Sequence, residues 1–442
     1  MAKRVLIVGA GLGGSLLALY LGRAGHKVML VERRGDPRAK NYVGGRSINL
    51  AISARGIHAL ERAGLASQLL EHGIRMPGRM IHPVQGAPVF QPYSRDPSRA
   101  INSVSRSRLN LLLLNAATDD PNVEARFDLP CVDADFAKPA GIFRRADGST
   151  EHIEADLVVA TDGAYSAVRS AMQKNERVDY SQSYLSHGYK ELTIPAADGG
   201  GFRIERNALH IWPRGGSMMI ALPNPDGTFT CTLFWPFDGP DSFATIRTDD
   251  DVRRHFERVY PDALPHMPTL LEDFRGNPVG SMVTVRTSPW HLNGTVALLG
   301  DAAHAVVPFY GQGANASFED CEALVDALTE FPNDQRAALD AYQTRRIRNA
   351  NAIADMALAN FIEMRDKTAS SAFRLKKKAE HALHGLLGNA YLPLYDMVSF
   401  TTIPYAEARE RAQRQQRAVV TGAVVAAGAL VAGAAAAAWA LA

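Results

Sequence analysis

Cysteine is nearly absent. The 442-residue chain has three, Cys131, Cys231 and Cys321, odd in number and far apart. That spacing excludes a readable disulfide framework or Cys-based metal motif, and it fits a reducing compartment. A charge excess is missing too. Against 46 Asp and Glu stand 48 Lys and Arg, a formal net charge of +2, so no nucleic-acid partner is expected. No internal repeat is visible, and no long low-complexity segment precedes residue 418. Too little chain precedes the first apolar run for a signal or transit peptide, which makes cytoplasmic residence the expectation. At 46% apolar and 21% charged residues the composition is globular, and the length calls for two domains or one elaborate one.

What is present starts almost at once. Arg4-Val-Leu-Ile-Val-Gly9-Ala-Gly11-Leu-Gly13-Gly14 is an apolar run broken by a glycine-rich turn. A helix-compatible run follows, and residues 27–31 then deliver Glu32. Strand, turn, helix, strand and acid are the parts of a dinucleotide site. Gly9 permits the tight turn, Gly11 lets a pyrophosphate approach the backbone, and Gly14 lets helix and strand pack. The helix N-terminus offers N–H groups to phosphates, and Glu32 can accept hydrogen bonds from a ribose diol. An ordinary Gly-rich turn between strand and helix is the alternative.

The fold class expected is α/β with an α+β insert. Residues 1–75, 101–180 and 290–330 read as a discontinuous Rossmann-type domain. Residues 76–100 and 181–289 read as a β-sheet substrate domain that roofs it, 331–415 as a C-terminal helical region, and 418–442 as an apolar tail. Helices are expected over 53–71 and 107–117, and strands over 187–194, 208–212, 217–222 and 228–237. The stretch 76–100 reads as an irregular wall or lid. Residues 418–442 carry no charge and one polar side chain, Thr421, after Arg409, Arg411, Arg414 and Arg417. About 20 residues suffice to span a bilayer, but thirteen of these are Ala. The reading is attachment to the cytoplasmic face of a membrane. An apolar helix docked on the protein, or an Ala-rich disordered tail, are the alternatives.

Two further motifs fall at strand ends. Leu157-Val-Val-Ala-Thr-Asp162-Gly163 delivers an acid to the mouth of the sheet. Asp162 could hold the turn together or accept bonds from a ribose or nicotinamide. Val296-Ala-Leu-Leu-Gly300-Asp301-Ala-Ala-His304 repeats the pattern, with Asp301 where α/β sheets bind ligands. The loop Gly311-Gln-Gly-Ala-Asn315 leads into a helix, for which Ser317 and Asp320 are read as a capping pair. His304 has no partner at ligand spacing and reads as structural. His381 and His384 lack a visible third ligand, so no metal site is assigned, and Lys376-Lys-Lys378 reads as a solvated helix face.

Taken in order, the Gly-rich unit, Asp162-Gly163 and Gly300-Asp301 resemble the layout of single-component flavin-dependent aromatic hydroxylases. Further blocks narrow the likeness: Gly45-Arg-Ser-Ile-Asn-Leu-Ala51, Gly78-Arg79-Met-Ile-His82, Tyr189-Lys-Glu-Leu-Thr-Ile-Pro195, Leu209-His-Ile-Trp-Pro-Arg214, Asn360-Phe-Ile-Glu-Met-Arg365 and Leu392-Pro-Leu-Tyr395. With these the chain resembles the kynurenine 3-monooxygenase family. The resemblance implies tightly bound, non-covalent FAD, NADPH as transient reductant and O2 as co-substrate. It implies hydroxylation of L-kynurenine to 3-hydroxykynurenine through a flavin C4a-hydroperoxide, a step of tryptophan catabolism towards NAD. The substrate carboxylate falls to Arg79 and Tyr93, with Asn360 and Tyr395 completing the pocket. FAD contacts carry over to Gly13, Val31, Glu32, Arg33, Arg34, Ala51, Arg106, Cys131, Ala167, Asp301, Ala314 and Asn315. Tyr310 falls near the ring pocket. No residue is named as acid or base, since the aniline nitrogen activates its own ring. No second Gly-rich nucleotide loop exists, so the nicotinamide must dock transiently.

Each residue also has a plainer reading. Arg79 could pair with a surface acid, Tyr93 could be loop packing, Tyr395 core, and Arg106 the partner of a structural acid. Three other functions stay open: a hydroxylase of another aromatic ring, a flavin halogenase or reductase, and a membrane-tethered FAD protein without turnover. The halogenase motif Trp-x-Trp-x-Ile-Pro is missing.

Overall fold

The computed structural model describes residues 2–39, 49–367, 380 and 382–440. The segment 45–48, the Lys376–Lys378 run and His381 lie outside the described residues. The central sheet has six strands in the order His291–Leu292, Val296–Leu298, Leu157–Ala160, Arg4–Val8, Lys27–Val31, Val123–Arg126. Every neighbouring pair is parallel except the edge hairpin that begins the order. Such a sheet is covered on both faces, so its strands read as unbroken apolar runs. Leu6, Ile7, Val158, Val159, Ala297 and Leu298 are all fully buried. Helix Leu12–Arg23 packs against helices Arg106–Thr118 and Gly313–Glu330.

A second, seven-stranded sheet packs, through its strand Gly280–Ser288, against the short helix Asp301–His304 that follows the central strand Val296–Leu298. Its order is Gly280–Ser288, Asp179–Ile194, Phe229–Pro236, Met218–Pro223, Leu209–Pro213, Gly78–Ile81, Val89–Pro92. Period-two alternation divides its side chains between two cores. Trp212, Met219, Cys231, Leu233 and Trp235 point outward, under helices Asp249–Val259 and Leu270–Gly276. Ile211, Met218 and Phe234 point inward, against Phe309 and Phe361.

Several elements differ from the expectation. The single helix over 53–71 is two, Ala54–Arg62 and Ala66–Leu70. Gly64, at φ +67°, ends the first with a left-handed residue. The stretch 76–100 is not wholly irregular, because Gly78–Ile81 and Val89–Pro92 extend the roof. The strand expected at 187–194 runs Asp179–Ile194, its first half pairing with Gly280–Ser288. Ser317 and Asp320 do not cap a helix. The helix already starts at Gly313, after Gly311 at φ +65°, and both residues sit within it. Asp320 is instead fully buried, accepting from Arg346 Nε (2.6 Å) and paired with His304 Nε2 (2.5 Å). His304 also stacks on the Trp290 ring at 4.9 Å, which is the structural role read from the sequence.

The C-terminal region contributes helices Gln335–Ile362, Leu394–Phe400 and Tyr405–Ala440. Arg55, fully buried in helix Ala54–Arg62, ties it to the N-terminal part of the chain. Its guanidinium donates to Val398 O (2.9 Å), Met397 O (3.3 Å) and Ile403 O, pairs with Glu319 (2.5 Å) and lies 3.9 Å from the centroid of the Tyr405 ring. Removing one partner of a buried ion pair costs about 3–5 kcal/mol, so this single side chain is a major reason the segment stays docked. Among the described residues no helix is long and apolar enough to cross a membrane. The side chains of 423–438, the middle of the apolar tail, lie outside the described residues.

Candidate functional site

The glycine-rich turn is tight for identifiable reasons. Gly9 has φ +108°, and a Cβ there would meet Thr161 O at 2.7 Å. At Gly14 a Cβ would overlap Gly9 O, and at Gly13 it would overlap Ser317 Oγ. Gly11 alone opens onto free space. Helix Leu12–Arg23 starts here without a side-chain cap, so its first N–H groups face that space. Glu32, just past the Lys27–Val31 strand, accepts from Ala10 N (2.9 Å) and Arg34 N (3.0 Å), while Val31 O accepts from Gly9 N (2.7 Å). Arg33 and Arg34 are exposed beside it.

The other cofactor candidates border the same cleft. Asp162 accepts from Ala167 N at 2.7 Å, and its Oδ1 is buried without a partner. Burial raises its pKa. Of the two readings of Asp162, the geometry displays the one that holds the turn. Cys131 begins the strand Cys131–Asp135, and burial, then the Asp162 charge, push its thiol up to about 12. It is therefore an unreactive thiol at neutral pH. Asp301 follows Gly300 (φ +61°) just past the strand Val296–Leu298, and its side chain reaches solvent. Desolvation raises its pKa, and the charge of Arg106, first residue of the helix Arg106–Thr118, opposes that rise.

Asn315 is fully buried and its side chain is spent within the protein. It donates to Ala51 O (3.0 Å) and Gly311 O (2.8 Å) and accepts from Ser53 N (3.0 Å). Helix Gly313–Glu330 has no side-chain cap, so the backbone N–H groups of its first turn, at Ala314 and Asn315, remain for an electron-rich ligand. Two uncapped helix starts, one open glycine and an Asp301 carboxylate within reach of the Arg106 charge together fit a dinucleotide with an electron-accepting ring.

The second cavity, of about 370 Å³, brings together Arg79, Tyr93, Asn360 and Tyr395. Arg79 is buried, its guanidinium 5.3 Å from the Tyr93 ring centroid and 5.0 Å from that of Tyr395. Those rings stack on each other at 4.8 Å and 15°. Tyr310 stacks with Tyr395 at 5.8 Å and 22°. Burial pushes the phenols of Tyr93 and Tyr310 well up, so both are neutral hydrogen-bond donors. Asn360 donates to Phe309 O at 2.7 Å, which fixes its amide against the loop leading to Tyr310. Arg79 Nε and Tyr93 Oη are buried without a hydrogen bond of good geometry. Burial opposes the Arg79 charge, while Tyr93, Tyr395 and the Glu363 carboxylate that also lines the cavity support it. Among the described residues none forms an ion pair with it, and a ligand carboxylate would supply one.

Sequence reading missed several polar lining residues, Gln91 and Asp396 among them. The only signal available was adjacency: Gln91 lies two residues before Tyr93 on a strand, and Asp396 follows Tyr395.

Comparison with known proteins gives a consistent result. The family model described as "FAD binding domain" matches residues 2–357. The kynurenine 3-monooxygenase of Myxococcus xanthus (strain DK1622) is 48% identical over 402 residues, 91% of this chain and 86% of that protein. That of Dictyostelium discoideum is 46% identical over 420 residues, 92% of this chain and 90% of that protein. Among solved structures, 2-methyl-3-hydroxypyridine-5-carboxylic acid oxygenase superposes with a TM-score of 0.67 at 22% identity, covering 84% of this chain and 95% of its own. PqsL of P. aeruginosa, solved with 2-aminobenzoylacetate, gives 0.65 at 23% over 84% and 98%. These two establish the fold alone.

Proposed function

The chain belongs to the kynurenine 3-monooxygenase family, and from that premise we propose how its own residues serve the reaction. It is an FAD-dependent monooxygenase that hydroxylates L-kynurenine with NADPH and O2. The observation that carries the site assignment is the buried guanidinium of Arg79 beside two stacked tyrosines, with its Nε unpartnered. Arg79 and the Tyr93 hydroxyl bind the substrate carboxylate through charge-assisted bonds. Tyr310 and the edge of Tyr395 bound the place of the aromatic moiety, and Asn360 bounds the pocket on the helix side. The glycine turn, Glu32, Asp301, Arg106 and the start of helix Gly313–Glu330 would hold FAD, which when bound would supply the electron transfer from NADPH and the activation of O2. The protein's share is position and exclusion of water. No side chain need remove a ring proton in the rate-determining step, because the aniline nitrogen supplies the electron density. In this division of labour the roof sheet with residues 76–100 is the substrate domain. Incubation with kynurenine, NADPH and air should yield a product heavier by one oxygen, with the hydroxyl beside the aniline nitrogen. Another ring position, or NADPH loss without oxygenated product, would sink the reading.

We also propose that residues 418–442 attach the protein to a membrane. The uncharged run continues the helix Tyr405–Ala440 beyond a cluster of arginines. The full chain should sediment with anionic lipid vesicles, and the chain ending at residue 417 should stay in the supernatant. Equal partitioning of the two would remove the proposal.

A further inference from the structure

The reading above leaves half of the substrate's amino-acid group without a partner. A zwitterion carries an ammonium as well as a carboxylate, and the ammonium needs acceptors. The pocket holds two that meet no donor. Gln91 Oε1 and Asp396 Oδ1 are both buried, both belong to lining residues, and neither has a hydrogen-bond partner. Gln91 is the cross-strand partner of Arg79 (Arg79↔Gln91 in the antiparallel pair), so the two side chains share a face of the sheet. Asp396 is 1% exposed. Its other oxygen accepts from Ser94 Oγ (2.9 Å) and Arg99 Nη1 (2.8 Å). Ser94 follows Tyr93, and Asp396 follows Tyr395. The carboxylate is therefore held rigidly beside the two tyrosines, with one oxygen to spare. Unpartnered buried acceptors are uncommon, and here two lie in the cavity that also holds an unpartnered donor, Arg79 Nε.

We propose that Asp396 and Gln91 receive the α-ammonium of the substrate and select amino acids over simple carboxylic acids. This rests on the kynurenine reading. The test compares kynurenine with its desamino analogue, 4-(2-aminophenyl)-4-oxobutanoic acid, by flavin-perturbation titration of the FAD-loaded protein. Asp396→Asn keeps the shape and the acceptor for Ser94. It should weaken kynurenine about tenfold or more while changing the analogue less than about twofold, since a bond to a charged group carries that much affinity. Gln91→Leu, which spares the Ser94–Asp396 contact, should show the same asymmetry at smaller size. If either variant weakens both ligands equally, the residue only positions Tyr93 and Tyr395, and the inference is wrong. If the unaltered protein binds neither ligand, the kynurenine reading itself fails. Loss of the Asp396 variant to misfolding leaves Gln91→Leu to decide.

Discussion

Arg79→Ala should raise the KM for kynurenine by about a hundredfold, with FAD content close to that of the unaltered protein. Truncating one partner of a buried charge pair costs about 2–5 kcal/mol, and a hundredfold is about 2.7 kcal/mol. The effect should fall on KM more than on kcat, because the guanidinium grips a part of the substrate remote from the reacting carbon. Arg79→Lys should recover part of the loss, since the ammonium keeps the charge but not the two-pronged geometry. Steady-state kinetics with flavin absorbance as the control checks this. A normal KM in the alanine variant would mean that the carboxylate is bound elsewhere.

Gly14→Ala should yield colourless protein. The new methyl would overlap the carbonyl of Gly9, a backbone atom that cannot swing away, so the turn must open and the first helical N–H groups turn from the phosphates. The contrasting variant is Gly11→Ala. There a Cβ meets nothing within 4 Å, so the melting temperature of the cofactor-free protein should be unchanged while FAD affinity drops. A yellow, stable Gly14→Ala protein would contradict the packing of this turn. Absorbance after gel filtration and thermal melts of the stripped proteins separate the two effects.

The parts of this molecule legible in the sequence are those whose signal is local. The strand Arg4–Val8 and its turn could be read because a strand buried on both faces is an unbroken apolar run, here Val5 to Val8. The strand Gly78–Ile81 could not, since its neighbours are Pro77, His82 and Pro83 and it is recruited to a sheet built from distant residues. The first half of Asp179–Ile194 alternates exposed with half-buried positions, among them Ser181, Gln182 and Ser183, and looks like a loop. Ser317 and Asp320 have capping spacing, but glycine chemistry upstream had already started the helix. The site divides likewise. The glycines follow from elementary sterics, whereas Arg79, Tyr93, Asn360 and Tyr395 share no sequence pattern and were reached through family resemblance. Asp396 and Gln91 were reached by neither route, because a missing hydrogen-bond partner is a property of the folded chain.

The join between Ser94 and Asp396 spans 302 residues. Domains tend to form in the order of translation, and the dinucleotide fold can close once helix Gln335–Ile362, which brings Arg346 to the buried Asp320, has emerged from the ribosome. The ligand chamber cannot, because its final wall is among the latest segments to be made. A chain halted between those two points should be competent for its coloured cofactor yet have nowhere to seat an amino acid.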